Sequence, residues 1–303
     1  MLKKVILVVL VVAGATYAGV VEDVLAALKQ NNLALGNAFV TQYRSQHGVT
    51  PEYLEALSWM ARGLLAARQV DTAEGYARET ETLAAAELKK RPLDAEPHLP
   101  IALGAAIEVQ GMALEARGER GEAIAYLQKE LAAYRGTSIR TRLQKNLNLL
   151  SLEGKPAPAL REQVYLGPKP AALASLRGKP VLLFFWAHWC SDCKQEGPIL
   201  GEIQKEYGPK GLVVVAPTQH YGYVAKGEEA GPAEELKYID QVRRTYYPNL
   251  LNVPSPVSEE NFKNYGASTT PTLVIVDRRG VVRLYHPGVM TLDELRAALN
   301  RIG

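Results

Sequence analysis

The residues Phe-Phe-Trp-Ala-His-Trp-Cys-Ser-Asp-Cys-Lys-Gln-Glu-Gly-Pro, numbers 184–198, decide the fold of the second half of this chain. The apolar run Val181 to Phe185 is typical of a buried strand, and a helix is predicted to begin near Cys190. A sulfur at the start of a helix lies beside free backbone N–H groups and the positive end of the helix dipole, which favour the thiolate. The stretch therefore predicts that Cys190 is a nucleophile.

The second cysteine of the stretch, Cys193, follows one helical turn later on the same face. From there it can form a disulfide with Cys190, or resolve a mixed disulfide that Cys190 has made with a substrate. These are the two cysteines of the 303-residue chain, so no other disulfide is possible within it. The charged neighbours Asp192 and Lys194 argue against two merely buried cysteines.

A zinc site is disfavoured because the five histidines have no ligand-like spacing: His47, His98, His188, His220 and His286. The expected redox group is the Cys190–Cys193 disulfide itself, with no metal and no other cofactor. A net charge of +3, with no basic run interleaved with aromatic residues, gives no reason to expect nucleic acid as a partner. A length of 303 residues is typical of a chain with two domains.

Residues 1–18 are predicted to be a secretory signal peptide. Lys3 and Lys4 precede the apolar run 5–13, and Thr16-Tyr17-Ala18 offers small residues where a signal peptidase cuts. The alternative is an uncleaved membrane anchor, but the apolar stretch of about 17 residues is shorter than the roughly 20 of a spanning helix. Both interpretations place the protein in the periplasm or another extracytoplasmic compartment. There, a protein with only a Cys-x-x-Cys pair is expected to act on the disulfides of other proteins.

Residues 19–152 are predicted to form an all-α domain of helical hairpins. Thr50-Pro51 is an N-cap followed by proline at the first helical position, Asp71 to Glu74 is a capping box, and another helix is predicted from about Ile101 to Arg117. One set of small and apolar residues has the spacing typical of tetratricopeptide repeats: Gly111, Gly118, Ala123 and Leu127. An irregular helical bundle is the open alternative. Three large side chains are expected in its core: Trp59, Met60 and Met112.

Residues 153–303 are predicted to form an α/β domain with a central mixed sheet flanked by helices. The boundary is Gly154-Lys155-Pro156-Ala157-Pro158. The expected strands are Val181–Phe185, Leu212–Ala216, Leu273–Val276 and Val281–Tyr285, the last two forming a hairpin. The expected helices run from Cys190 through Tyr207, over Pro232–Tyr247 and Glu259–Tyr265, and from a capping box at Thr291 to Glu294.

From about Gly154 onwards the chain resembles the thioredoxin superfamily, and within it the TlpA-like extracytoplasmic thiol-disulfide oxidoreductases. The resemblance is carried by five motifs: residues 154–158, Leu176-Arg177-Gly178-Lys179-Pro180, Trp189-Cys190-Ser191-Asp192-Cys193, Glu196 with Pro198, and Thr270-Pro271-Thr272. It implies a cis bond at Pro271, which lies against the disulfide, and a groove at Trp189, Thr270 and Pro271 for an extended substrate strand. It also implies a membrane-borne electron donor, because thiols in an oxidising compartment need to be reduced again.

The chain departs from the family pattern at the active stretch. Ser191-Asp192 separates the cysteines where a proline is usual, and the carboxylate should oppose ionisation of Cys190, which favours a reductant over an oxidant. Phe184 stands where a buried Asp or Asn is common, so Glu196, which matches the family's acidic residue, becomes the candidate proton acceptor for Cys193 if it is buried. His188 is taken to be a variable edge residue. The added helical domain is a candidate site for a protein partner.

The predicted function is that of a thiol-disulfide oxidoreductase, more specifically a protein-disulfide reductase of the cell envelope. A peroxiredoxin-like peroxidase is the enzymatic alternative, but Leu183 and Ala187 stand where its Pro and Thr are required. A non-catalytic binding module is the other alternative, and the intact cysteine pair argues against it.

Overall fold

The computed structural model describes residues 19–302, so the predicted signal peptide, residues 1–18, lies outside the described part. The first half of the described chain is helical. Its helices α1 to α7 are Val20–Lys29, Leu33–His47, Pro51–Ala66, Val70–Leu88, His98–Ala116, Arg120–Ala133 and Arg140–Ser151. The cap at Thr50 is confirmed, because its side chain accepts a hydrogen bond from the backbone N–H of Tyr53.

Each helix from α1 to α7 contacts the next one along the chain, and the odd-numbered helices also contact each other in order: α1 with α3, α3 with α5, and α5 with α7. At Gly111 of α5 a side chain would press against Leu127 of α6 at 3.0 Å, so the small residue permits the close approach of this pair. This order of contacts is typical of stacked hairpins, whereas membership of the tetratricopeptide repeats stays a prediction.

Two predicted helix starts in this half are wrong. The helix containing Asp71 begins at Val70 with Gln69 at the N-cap, so Asp71 lies inside the first turn and pairs with Arg117 at 3.2 Å instead of capping. The helix starts one residue earlier than the motif predicts, and Gln69 at its N-cap makes no side-chain capping bond.

Helix α5 begins at His98 instead of Ile101. Pro100 is tolerated in its first turn, where the backbone N–H groups have no partner within the helix, and the carboxylate of Glu96 accepts from the N–H groups of His98 and Leu99. Among residues 19–302 this is the one helix long and apolar enough to cross a membrane, and 61% of its apolar window is buried inside the helical half. Of the predicted core residues Met60 is buried, while Trp59 and Met112 are partly exposed.

The second half confirms the predicted α/β fold. Its strands β1 to β6 are Tyr165–Leu166, Val181–Phe185, Val213–Val215, Ser255–Pro256, Thr272–Val276 and Val282–Pro287. Its helices α8 to α11 are Ser191–Tyr207, Pro232–Tyr246, Glu259–Tyr265 and Leu292–Asn300. The central sheet has the order β3-β2-β5-β6, with β2 parallel to β3 and antiparallel to β5. The sheet is therefore mixed, and β1 pairs separately with β4.

Alternate side chains of β2 enter two different cores, as the period of a strand requires. Leu182 and Phe184 lie in the core formed with α8, α9 and α11, whereas Leu183 and Phe185 lie in the core formed with α10. Helices therefore cover both faces of the sheet. This double cover explains why the strand is apolar at every position. The carboxyl end of β2 leads into the turn that carries Cys190.

The two halves are joined through α7. The side chain of Asn148 donates to the backbone oxygen of Tyr265 at 2.9 Å, and Arg140 pairs with Glu260 at 3.3 Å. Just past α7, the carboxylate of Glu153 accepts from the backbone N–H of Tyr285 at 3.0 Å. The helical half thus contacts α10 and β6 on the side of the sheet away from α8. The domain boundary near residue 152 stays a prediction.

Replacing Gly266 with alanine should destabilise the protein by about 3 kcal/mol, because the new methyl group meets backbone that has little room to move. Gly266 ends α10 with φ of 62°, and a Cβ there would lie 2.6 Å from the carbonyl carbon of Gln144 in α7. The matched control is Gly154→Ala, where φ is 82° and nothing lies within 4 Å of the new Cβ. It should lose only the backbone term, about 1 kcal/mol. Equal losses in urea unfolding would contradict the close packing of the two halves.

Candidate active site

The cysteine pair lies at the junction between β2 and α8. β2 ends at Phe185, and Cys190 occupies the N-cap of α8, the position predicted for it. The two sulfurs form a disulfide with an S–S distance of 2.10 Å. Sγ of Cys190 accepts a hydrogen bond from the backbone N–H of Cys193 at 3.0 Å. The same donor will stabilise a Cys190 thiolate after reduction.

The two sulfurs differ in their access to solvent. Cys190 is 3% exposed and Cys193 is fully buried, so an incoming disulfide meets Cys190 first. Sγ of Cys190 lies 3.4 Å from the backbone oxygen of Thr270, and the Thr270–Pro271 bond is cis, as the resemblance implied. Trp189, half exposed, precedes Cys190 directly. The structure thus brings Trp189, Thr270 and Pro271 to the disulfide, while their contact with substrate stays a prediction.

Glu196 meets the condition on which its predicted role depends, because it is only 1% exposed. It lies one turn after Cys193 on the same face of α8, and its carboxylate accepts from the backbone N–H of Met290 at 3.3 Å. Burial raises the pKa of Glu196 to about 7, and the hydrogen bond from Met290 opposes that rise. A carboxyl group of this kind exchanges its proton readily at neutral pH.

The aromatic residues of the stretch have different places. Trp186 is buried in the core, where its indole N–H donates to the backbone oxygen of Ala216 at 3.0 Å and its ring packs edge-on against Tyr247. Phe184 packs on the same Tyr247 from the strand. Trp189 is consequently the tryptophan of the stretch that faces solvent, whereas Trp186 lies in the same buried core as the two cysteines.

The prediction that His188 lies at the edge of the site is wrong. Its side chain is 1% exposed and lies among the rings of Tyr221, Tyr223 and Tyr238, at centroid distances of 5.2 to 5.4 Å. Its Nε2 is 3.3 Å from a carboxylate oxygen of Glu235, which is also buried. Sequence reasoning missed Glu235 and the tyrosines. The sequence shows three tyrosines within 221–238, but no local pattern in it places them beside His188.

No metal centre accompanies this site in the part of the chain that the structure describes: residues 19–302 contain no group of three or more His, Cys, Asp or Glu side chains placed to hold an ion. The chemistry that these residues support is exchange at sulfur. A thioredoxin-like sheet with a disulfide at the N-terminus of its active helix is the frame of a thiol-disulfide oxidoreductase.

Comparisons with known proteins agree with this class. A family model described as a thioredoxin-like domain matches residues 169–303. Over 148 residues the chain is 32% identical to the thioredoxin-like protein YneN of Bacillus subtilis, and the match covers 49% of this chain and 79% of that protein. Over 142 residues it is 30% identical to the thiol:disulfide interchange protein DsbE of Pseudomonas fluorescens, and the match covers 47% of this chain and 69% of that protein.

A further relative is the thiol-disulfide oxidoreductase ResA of Oceanobacillus iheyensis, 32% identical over 130 residues, with 43% of this chain and 60% of that protein covered. The chain belongs to the TlpA-like family of thioredoxin-like thiol-disulfide oxidoreductases. These matches extend over about half of the chain.

Proposed function

We propose that this protein reduces disulfide bonds of other proteins in the cell envelope. The observation that carries the exchange chemistry is the Cys190–Cys193 disulfide at the start of α8, with the buried carboxyl group of Glu196, whose pKa is about 7, one helical turn behind Cys193. Reduction of a substrate requires Cys193 to lose its proton inside the protein, and Glu196 is the titratable group on its helix face able to take it.

The proposed reaction starts from the dithiol form. The Cys190 thiolate attacks one sulfur of the substrate disulfide, the substrate S–S bond breaks, and the released thiolate takes a proton from solvent. Cys193 passes its proton to Glu196 and attacks Sγ of Cys190, which expels the second substrate thiolate and forms the disulfide seen here. Two electrons have then moved from the enzyme dithiol to the substrate. Thr270 and Pro271 border the position that the substrate chain occupies.

Regeneration of the dithiol requires a donor of two electrons, and we assign this role to a membrane-borne partner. We place the protein outside the cytoplasm, with residues 1–18 as its export signal. This location agrees with the cysteine content, because both cysteines of the chain belong to the redox pair. The helical half, with its stacked hairpins, is the proposed place for a protein partner.

The reduction potential of the Cys190–Cys193 couple tests the direction of the reaction. We expect a value near that of thioredoxin, roughly −270 mV, measured by equilibrium with a thiol buffer and followed by the fluorescence of Trp189. A value near about −120 mV would identify an oxidant and contradict the proposal. The exposed carboxylate of Asp192 should contribute little, so Asp192→Asn should make the couple more oxidising by less than about 30 mV.

A further inference from the structure

A second buried polar cluster lies beside the cysteine pair, and the proposed reaction does not use it. Its centre is the carboxylate of Glu235 in the first turn of α9, 1% exposed. The carboxylate accepts from the backbone N–H groups of Tyr221 at 2.5 Å and Gly222 at 3.0 Å, and from His220 Nδ1 at 3.2 Å and His188 Nε2 at 3.3 Å. Four donors converge on one side chain.

These donors offset the cost of burying a charge. A buried carboxylate is strongly unfavourable unless hydrogen bonds replace its water, and the N-terminus of α9 adds the positive end of the helix dipole. Burial also lowers the pKa of His188, so its ring is neutral at neutral pH and presents a hydrogen to the carboxylate. The carboxylate of Glu235 thus has four hydrogen-bond partners, and such a network holds its members in a single geometry.

The junction joins two segments that are far apart in the sequence. His188 belongs to the turn between β2 and α8, whereas Tyr221 and Gly222 belong to the loop 218–231. The ring of Tyr221 packs edge-on against Trp189, with 5.6 Å between the centroids, and against His188 at 5.4 Å. Trp189 is half exposed and directly precedes Cys190. Glu235 contacts no sulfur. It is linked to the exposed Trp189 by its hydrogen bonds to His188 and to the backbone of Tyr221, whose ring packs on Trp189.

We propose that Glu235 is a positioning residue that holds Trp189 and Tyr221 together as an aromatic wall beside Cys190. An apolar side chain next to the reacting cysteine of a substrate protein packs against this wall, which makes substrates with such a neighbour preferred. The inference rests on the proposed function, since it concerns the substrate of the same site. A small disulfide is too short to use the wall while it reacts at Cys190.

The test uses two disulfide-bonded peptides that differ in one residue beside the cysteine, phenylalanine or serine, together with hydroxyethyl disulfide. The variants are Glu235→Gln and Tyr221→Leu, and the matched control is Glu234→Gln, whose exposed carboxylate lies one residue away. The wild type and the control should prefer the phenylalanine peptide about fivefold in kcat/KM, the scale of one aromatic contact. Both test variants should lose the preference through KM, with the rate on hydroxyethyl disulfide unchanged.

Retention of the preference by folded variants overturns the inference, and so does a parallel loss on hydroxyethyl disulfide, which would mean that Glu235 supports the cysteine pair as a whole. If Glu235→Gln does not fold, Tyr221→Leu tests the wall itself, and Glu235→Asp, which keeps the charge but shortens the side chain, tests the positioning role. Acrylamide quenching of Trp189 supplies a readout independent of peptide reduction, measured with Trp59→Phe as background because Trp59 is also partly exposed. If the wild type reduces no peptide, the proposed function fails, and unchanged quenching in both variants overturns the positioning role as well.

Discussion

Replacing Cys193 with serine should turn the protein into a trap that stays covalently attached to its substrate. Cys190 can still attack a substrate disulfide, but no thiol remains within the protein to expel it, so the mixed disulfide accumulates. Cys190→Ser should form no such adduct and should lose at least about 1000-fold in turnover, because Cys193 is fully buried and cannot replace the lost nucleophile.

The measurement is non-reducing electrophoresis and mass spectrometry after incubation of each reduced variant with a disulfide-bonded protein. The comparison between the two serine variants is its own control, because both lack the disulfide and differ only in which sulfur remains. Adducts with Cys190→Ser, or equal adducts with both, would contradict the assignment of Cys190 as the nucleophile. If the wild type shows no turnover, so that Cys190→Ser has none to lose, the protein is a binding module instead.

Replacing Glu196 with glutamine should slow reduction and stabilise the fold at the same time. The pKa of Glu196 is about 7 in the folded protein, against an ordinary value of 4.5, so the folded state holds the proton more tightly than the unfolded chain does. Folding stability is therefore lost as the pH rises from about 4.5 to about 7. Glutamine has no such dependence, and the oxidised variant should exceed the wild type by up to about 3 kcal/mol at pH 8.

The activity of the same variant should fall by about 100-fold near pH 8, the scale of a lost general base. The wild-type rate should rise through pH 7 as Glu196 becomes ionised, and the Glu196→Gln variant should lack this rise. The matched control is Glu202→Gln, an exposed carboxylate on the same helix, which should change neither quantity. A Glu196→Gln protein that is less stable and fully active would show that the carboxyl group is structural.

Opposite signs for stability and activity are expected at a site where a charge is buried for chemistry. A neutral side chain at position 196 would make the folded protein more stable. In the described structure only the backbone N–H of Met290 donates a hydrogen bond to the buried carboxylate. Glu235 is the contrasting case, because four donors satisfy it. The two buried carboxyl groups of the site differ in their hydrogen bonding, which agrees with the different tasks proposed for them: proton transfer for Glu196 and positioning for Glu235.

The local features of the chain could be predicted well from its sequence. The strand Val181–Phe185, the helix start at Cys190 and the capping boxes depend on residues within one or two turns of each other, and the capping box at Thr291 and Glu294 is present as expected. The capping prediction failed at Asp71, because the helix begins one residue before it, at Val70. Local patterns place helix ends only to within about one or two residues.

The amino-acid sequence by itself determined the two-part organisation and the redox chemistry. Both depend on residues close together in the chain, through the periodicity of strands and helices and the spacing of the two thiols. Only the tertiary structure decided which polar groups are buried. Glu196 meets Met290, 94 residues later, and His188 meets Glu235, 47 residues later. Burial, and the pKa values that follow from it, depend on what the fold brings from elsewhere in the chain, and no local pattern contains that information.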